Sequence, residues 1–197
     1  MAKLDKLKVA VLVTDGVEEA ELAEPTRALG EAGADVAVIA PHDGQVQAFR
    51  HHDKSKKFDV DMVLDQVVPA SFDALLLPGG ALNADALRAE SKAQAFIREM
   101  DEAGKPIAAI CHAGWELISA GAVPGRKMTS YHTIQDDIRN AGGKWVDEEV
   151  VVDRNWVTSR QPDDIPAFNR EMISLFSRGG TAEPANAGGT DLRVRQA

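Results

Sequence analysis

Short apolar runs alternate with longer stretches of helical spacing along this chain, and no other feature constrains its fold as strongly. Lys8 to Val13 reads Lys-Val-Ala-Val-Leu-Val, and Asp35 to Ala40, Phe72 to Leu77 and Ile107 to Ile110 are further runs. Each has the length and composition of a buried strand. Glu18 to Ala32 has helical composition, with Leu22, Pro25, Ala28 and Leu29 on its apolar side and Gly33 closing it. Ser91 to Ala103 is a second helix, with Ala95, Phe96 and Met100 facing inward. Helical spacing returns over Trp115 to Ala120. It returns again over Asp163 to Phe176, where Ile165, Phe168, Met172, Ile173 and Phe176 share a face. Strands alternating with helices predict an α/β fold, a mostly parallel sheet with helices on both faces. Two segments depart from the pattern. Val150 to Val152 and Trp156 to Ser159 predict a late hairpin turning at Asp153-Arg154-Asn155, and Gln45 to Val60 reads as a hairpin or irregular excursion.

At 197 residues the chain suits one domain, expected over residues 1–178. From residue 179 the composition turns to Gly, Ala, Thr and Pro, which predicts a C-terminal tail over 179–197. The net charge of -9 argues against a nucleic-acid-binding surface. A single cysteine excludes an intrachain disulfide and a multi-cysteine zinc site, and it fits a reducing cytoplasm. The first residues lack the apolar segment of a signal peptide, and no run of about 18 apolar residues predicts a membrane span.

In open α/β sheets, sites form beyond the C-terminal ends of the strands. Three such ends carry suggestive residues. After Ile110 come Cys111-His112-Ala113-Gly114, a strand breaking sharply towards a helix with a thiol at the break. This is the layout of a nucleophile elbow with sulfur in place of a hydroxyl. The positive end of a helix and its unpaired N–H groups favour thiolate, whereas an inert core cysteine is the plain alternative. His112 is the neighbouring candidate base, although adjacent side chains point the same way only if the turn is unusual. After Val13, Glu18, Glu19, Glu21 and Glu24 crowd one helix start, and Glu18 and Glu21 share a face. An ionised carboxylate beside the thiol would raise its pKa; a protonated one would donate to sulfur. After Leu77, Pro78-Gly79-Gly80 leaves backbone N–H groups open to a ligand, and with the N–H of His112 this loop is a candidate oxyanion site. His51-His52 lacks a spaced third ligand and reads as a solvated loop, so no metal or other cofactor is expected.

These segments together resemble the PfpI family of intracellular proteases and general stress proteins. That family belongs to the class I glutamine amidotransferase-like superfamily, which includes the Parkinson-disease deglycase. The resemblance runs from about Lys8 to Phe176. It rests on Asp15-Gly16-Val17-Glu18-Glu19-Ala20-Glu21, Leu76-Leu77-Pro78-Gly79-Gly80, Ala109-Ile110-Cys111-His112-Ala113-Gly114 and Gly125-Arg126-Lys127-Met128-Thr129-Ser130-Tyr131. It implies a flavodoxin-like three-layer sandwich with Cys111 as elbow nucleophile, Glu21 as the carboxyl touching it, Glu18 near the same cleft and the amides of Gly80 and His112 as the oxyanion site. Tyr131 stands where the deglycase relative carries a histidine, and His132 follows where relatives commonly have proline. In the protease branch a neighbouring subunit's carboxylate completes a Cys-His-acid triad. Here Asp85 is the candidate, in a loop, Gly80 to Asp85, one residue longer than usual.

Three functions are thus in view. The first is a stress-response enzyme in which Cys111 attacks reactive carbonyls or their adducts on protein or nucleotide, with Glu21 moving protons. The second is a cysteine peptidase using Cys111, His112 and an acid. The third is a redox sensor or chaperone with an oxidisable Cys111. The expected partners are small carbonyl compounds or modified proteins and a second copy of the chain, as a homodimer or a higher homo-oligomer.

Overall fold

The computed structural model describes residues 3–179. The expected tail therefore lies outside the described residues, apart from Gly179. The first strand, β1 (Lys8–Leu12), is followed by a two-residue strand, β2 (Val17–Glu18), and helix α1 (Glu19–Glu31). Next come β3 (Asp35–Ala40), the hairpin β4 (Gln45–Arg50) and β5 (Asp53–Asp59), and the short β6 (Met62–Val63). The centre of the chain supplies β7 (Ala74–Leu77), α2 (Ala81–Leu87), α3 (Ser91–Glu102), β8 (Ile107–Ile110) and α4 (Gly114–Ser119). The last third adds β9 (Lys127–Met128), α5 (Gln135–Asn140), β10 (Lys144–Trp145), the hairpin β11 (Val150–Asp153) and β12 (Trp156–Ser159), and α6 (Ile165–Ser177).

Seven strands form the main sheet in the order β11-β12-β8-β7-β1-β3-β6. All neighbours are parallel except the β11–β12 hairpin. The predicted parallel α/β sandwich is therefore the observed architecture.

The strand sequences explain why both faces are covered. Val9, Val11 and Val13 point into one apolar cluster, and Ala10 and Leu12 into the other. Ala74 and Leu76 part from Leu75 and Leu77 in the same way, as do Ala108 and Ile110 from Ile107 and Ala109. With a side-chain period of two and every position apolar, neither face can be left to water. Leu22 and Leu29 of α1 and Phe168, Met172 and Phe176 of α6 fill the first cluster. Phe96, Ile97 and Met100 of α3, with Leu117 of α4, fill the second.

Small departures from expectation have local causes. Helix α1 starts at Glu19 because Glu18 still pairs with Phe49 of β4. Pro25 lies inside α1 and is buried; lacking an N–H, it forgoes the bond to the Glu21 carbonyl. The β7 run starts at Ala74, and Phe72 ahead of it caps the second cluster against Phe96, ring centroids 6.1 Å apart. The polar stretch from Gln45 is the antiparallel β4–β5 hairpin, which joins β2 in a small second sheet.

Among the described residues no helix is long and apolar enough to cross a membrane. None of their His, Cys, Asp and Glu side chains group in threes that could hold a metal ion.

Candidate active site

Three neighbouring strands, β8, β7 and β1, end side by side and deliver the predicted residues to one place. Ile110 is still extended, and Cys111 then enters the left-handed region with φ of 62°. For a non-glycine residue this costs about 1–2 kcal/mol. A three-residue 3-10 turn, Cys111–Ala113, leads into α4. The turn answers the difficulty of adjacent residues: it brings the Cys111 sulfur to 3.2 Å from Nδ1 of His112. The Cys111 carbonyl accepts the Tyr131 N–H at 3.1 Å, which holds the elbow from below.

Gly79 explains how a carboxyl reaches the sulfur. Its N–H donates to Oε2 of Glu21 at 2.9 Å. A Cβ on Gly79 would run into Glu21 Oε2 and would lie 2.7 Å from the Cys111 Cβ and 2.8 Å from the Ile110 carbonyl oxygen. Only a glycine lets the β7 loop pass between acid and thiol. Glu21 is fully buried, and its Oε1 has no hydrogen-bond partner of good geometry.

Burial pushes the Glu21 carboxyl up to about 8, aided by the charge of Glu18 and opposed by Cys111 and the Gly79 N–H. The acid is therefore protonated at neutral pH. Burial, with the charge that Glu21 takes on when ionised, also pushes the Cys111 thiol up; the N–H groups of Gly80 and His112 pull it down. The pull of a helix end towards thiolate is thus opposed here by burial. Helix α4 is short, begins three residues later, and the sulfur is buried. Acid and thiol form one coupled pair, in which a thiolate is best sustained by leaving the proton on Glu21.

His112 is lowered by burial and by the charge of His132, so its ring is neutral at pH 7 and free to accept a proton. Tyr131 stacks on it with centroids 4.8 Å apart and planes 30° apart. His132 is exposed, and its ring lies tilted against Tyr131 with centroids 4.6 Å apart.

The cleft above these residues has a volume of about 1000 Å³. Glu18, Gly80, His112, Tyr131 and Phe49 line it, with Cys111 at its floor. The β4–β5 hairpin forms one wall. Arg50 clamps Glu19 through two bonds of 2.9 Å and holds that carboxyl well below the usual range, while the His51 N–H donates to Glu18 at 2.9 Å. His51 and His52 sit on this rim rather than around a metal. Asp85 is exposed on α2 and does not line the cleft of its own chain. The spacer role of Gly79, the Asn83 tie and the hairpin's place as a cleft wall are not legible in the sequence, since they arise only when distant strand ends meet.

A parallel sheet clad on both faces, with a cysteine on a left-handed turn at its C-terminal edge, defines a flavodoxin-like protein with a nucleophile elbow. The chain belongs to the DJ-1/PfpI family, which it matches over residues 7–175. It is 44% identical over 170 residues to Deglycase TK1284 of Thermococcus kodakarensis, covering 86% of this chain and 99% of that protein. It is 42% identical over 169 residues to YraA of Bacillus subtilis, whose name marks it as a candidate cysteine protease, covering 86% of this chain and 98% of that protein. The structure of Drosophila melanogaster DJ-1beta superposes with a TM-score of 0.78 at 28% identity, covering 88% of this chain and 97% of that one.

Proposed function

We propose that this protein is a deglycase-like enzyme in which Cys111 adds to the carbonyl carbon of a reactive dicarbonyl or of its adduct on a protein or nucleotide. The observation that carries this reading is the protonated, buried Glu21 beside a thiol that also touches a neutral imidazole. As the S–C bond forms, the thiol proton passes to His112 Nδ1 and the C=O π bond breaks. The oxygen so formed meets the N–H groups of Gly80 and His112, which already face the sulfur. Glu21 then returns or relocates protons on the adduct. For methylglyoxal the balance closes with one water: the aldehyde carbon is oxidised, the ketone carbon reduced, and lactate leaves. No external oxidant is needed.

The relative named as a deglycase supports the substrate class. Peptide hydrolysis is the weaker reading: among the described residues of one chain no carboxylate hydrogen-bonds His112, so Asp85 of a second copy would have to orient it. The test is turnover of methylglyoxal and of its adduct on N-acetylarginine, read as lactate. Cys111→Ala should abolish lactate formation, and Glu21→Gln should lower kcat by about 100-fold or more. Undiminished turnover in Cys111→Ala would sink the proposal.

A further inference from the structure

The Pro78-Gly79-Gly80 loop presents two successive peptide units to the site, and each is held at both ends. In the first, the Gly79 N–H donates to Glu21, and the Pro78 carbonyl accepts from Nδ2 of Asn83 at 3.1 Å. In the second, the Gly80 N–H faces the sulfur, and the Gly79 carbonyl accepts the Glu18 N–H at 3.3 Å. Because a peptide unit is planar and trans, fixing its carbonyl fixes the direction of its N–H. Such fixing matters at a Gly-Gly pair, where a peptide can rotate at little steric cost; Gly80 already has φ of 93°.

Asn83 is fully buried and spends its other end on the Thr14 N–H, which donates to Oδ1 at 2.7 Å. Thr14 follows β1 and Pro78 follows β7, and these strands are neighbours. One amide side chain thus ties two strand ends together and orients the loop between them. We infer that Asn83 is a positioning residue of this site, acting through the Pro78–Gly79 peptide to keep the Gly79 N–H on the Glu21 carboxyl. Were that peptide to turn over, Glu21 would face a carbonyl oxygen instead of a donor. Its proton would then be drawn to that oxygen and away from the sulfur.

The inference rests on the role proposed for Glu21, so its test includes readouts that need no turnover. Asn83→Asp is nearly isosteric and keeps an acceptor for Thr14, but sets an oxygen against the Pro78 carbonyl. In this variant kcat should fall by about 10-fold or more, with KM changed by less than about three-fold. The Gly79 amide should exchange with solvent at least about 10-fold faster, and the pH midpoint of Cys111 alkylation by iodoacetamide should shift. Unchanged Gly79 exchange with an unchanged alkylation profile would overturn the inference, and so would lost turnover without faster Gly79 exchange. Wild-type protein that turns over no adduct would sink the deglycase reading alone, since exchange and alkylation still judge Asn83. Should Asn83→Asp not fold, the wild type decides: a Gly79 N–H that exchanges as fast as an exposed loop amide overturns it.

Discussion

Glu116 carries a carboxyl that the chemistry does not use. It is 1% exposed, neither oxygen has a hydrogen-bond partner, and burial alone drives its pKa well above the ordinary carboxylate value. The sign of its effect follows by linkage. Above about pH 4.3 the unfolded chain releases this proton while the folded protein keeps it. Stability therefore falls as pH rises from the unfolded pKa towards the folded one, at up to ~1.4 kcal/mol per pH unit. Glu21 adds a fall of the same sign, which ends near its folded value of about 8. Glu116→Leu should therefore be more stable than the wild type, with the gap widening as pH rises above about 4.3 in denaturant titrations. Parallel stability curves for the two proteins would contradict this.

At the scale of elements, the hairpin wall is joined to the body of the protein at its β4 side. Strand β4 pairs with two residues of β2, buries Val46 and Ala48 in the first cluster, and exchanges bonds with the loop after β1, the Gly16 N–H on the Gln47 carbonyl at 2.8 Å and the Gln47 N–H on Asp15 at 2.7 Å; Arg50 and Lys56 on Glu19 and the His51 N–H on Glu18 add to this. Arg50 is mostly exposed, so its clamp is screened by water and salt. Arg50→Ala should speed amide exchange across Gln45–Asp59 several-fold, with exchange in β1 and β7 unaltered. Uniform exchange across hairpin and core would show that the clamp holds nothing. The elements that sequence patterning made legible were those with long apolar signals: the four central strands, α1, α3 and α6. Helix α2 escaped because its seven residues follow Pro78-Gly79-Gly80 and carry only two leucines. Helix α5, Gln-Asp-Asp-Ile-Arg-Asn, has one apolar residue in six. Within the site, Cys111 and His112 were legible from the strand break itself, whereas Glu21 was set apart from Glu18, and Gly80 from its neighbours, by the family resemblance. Gly79 as a spacer and Asn83 as a tie were not legible. Each depends on a partner far away in sequence, Glu21 and Cys111 for one and Thr14 for the other.

Across the whole molecule the two ends of the sheet do different work. The C-terminal strand ends hold the candidate site. The opposite end holds a buried polar knot in which Oδ1 of Asp101 accepts from Arg126 at 2.6 Å, Trp156 at 2.7 Å and Asn155 at 3.1 Å. Arg126 also lies over the Trp156 ring, 4.1 Å from its centroid. The knot binds α3 to the start of β12 and to the turn before β9. Asp101→Ala leaves Arg126 with Asp153, at 4.0 Å, as its nearest carboxylate and strands the Trp156 and Asn155 donors, which should cost about 1–3 kcal/mol, seen as a lowered Tm. The alkylation profile of Cys111 in the folded protein should not change. A shifted profile would mean that the two ends of the sheet are coupled.

The ties at the site also bear on the order in which the chain gains its structure. Thr14 and Asn83 are 69 positions apart, and Glu21 and Gly79 are 58 apart. Closing such distances is the slow part of assembling a parallel sheet. Until β1, β7 and β8 lie side by side, the carboxyl, the glycine amides and the thiol are strangers on a fluctuating chain. During synthesis the thiol emerges last of the three. A nascent or partly folded copy thus carries only an ordinary exposed thiol, and the arrangement proposed for Cys111 exists only once the middle of the protein is complete.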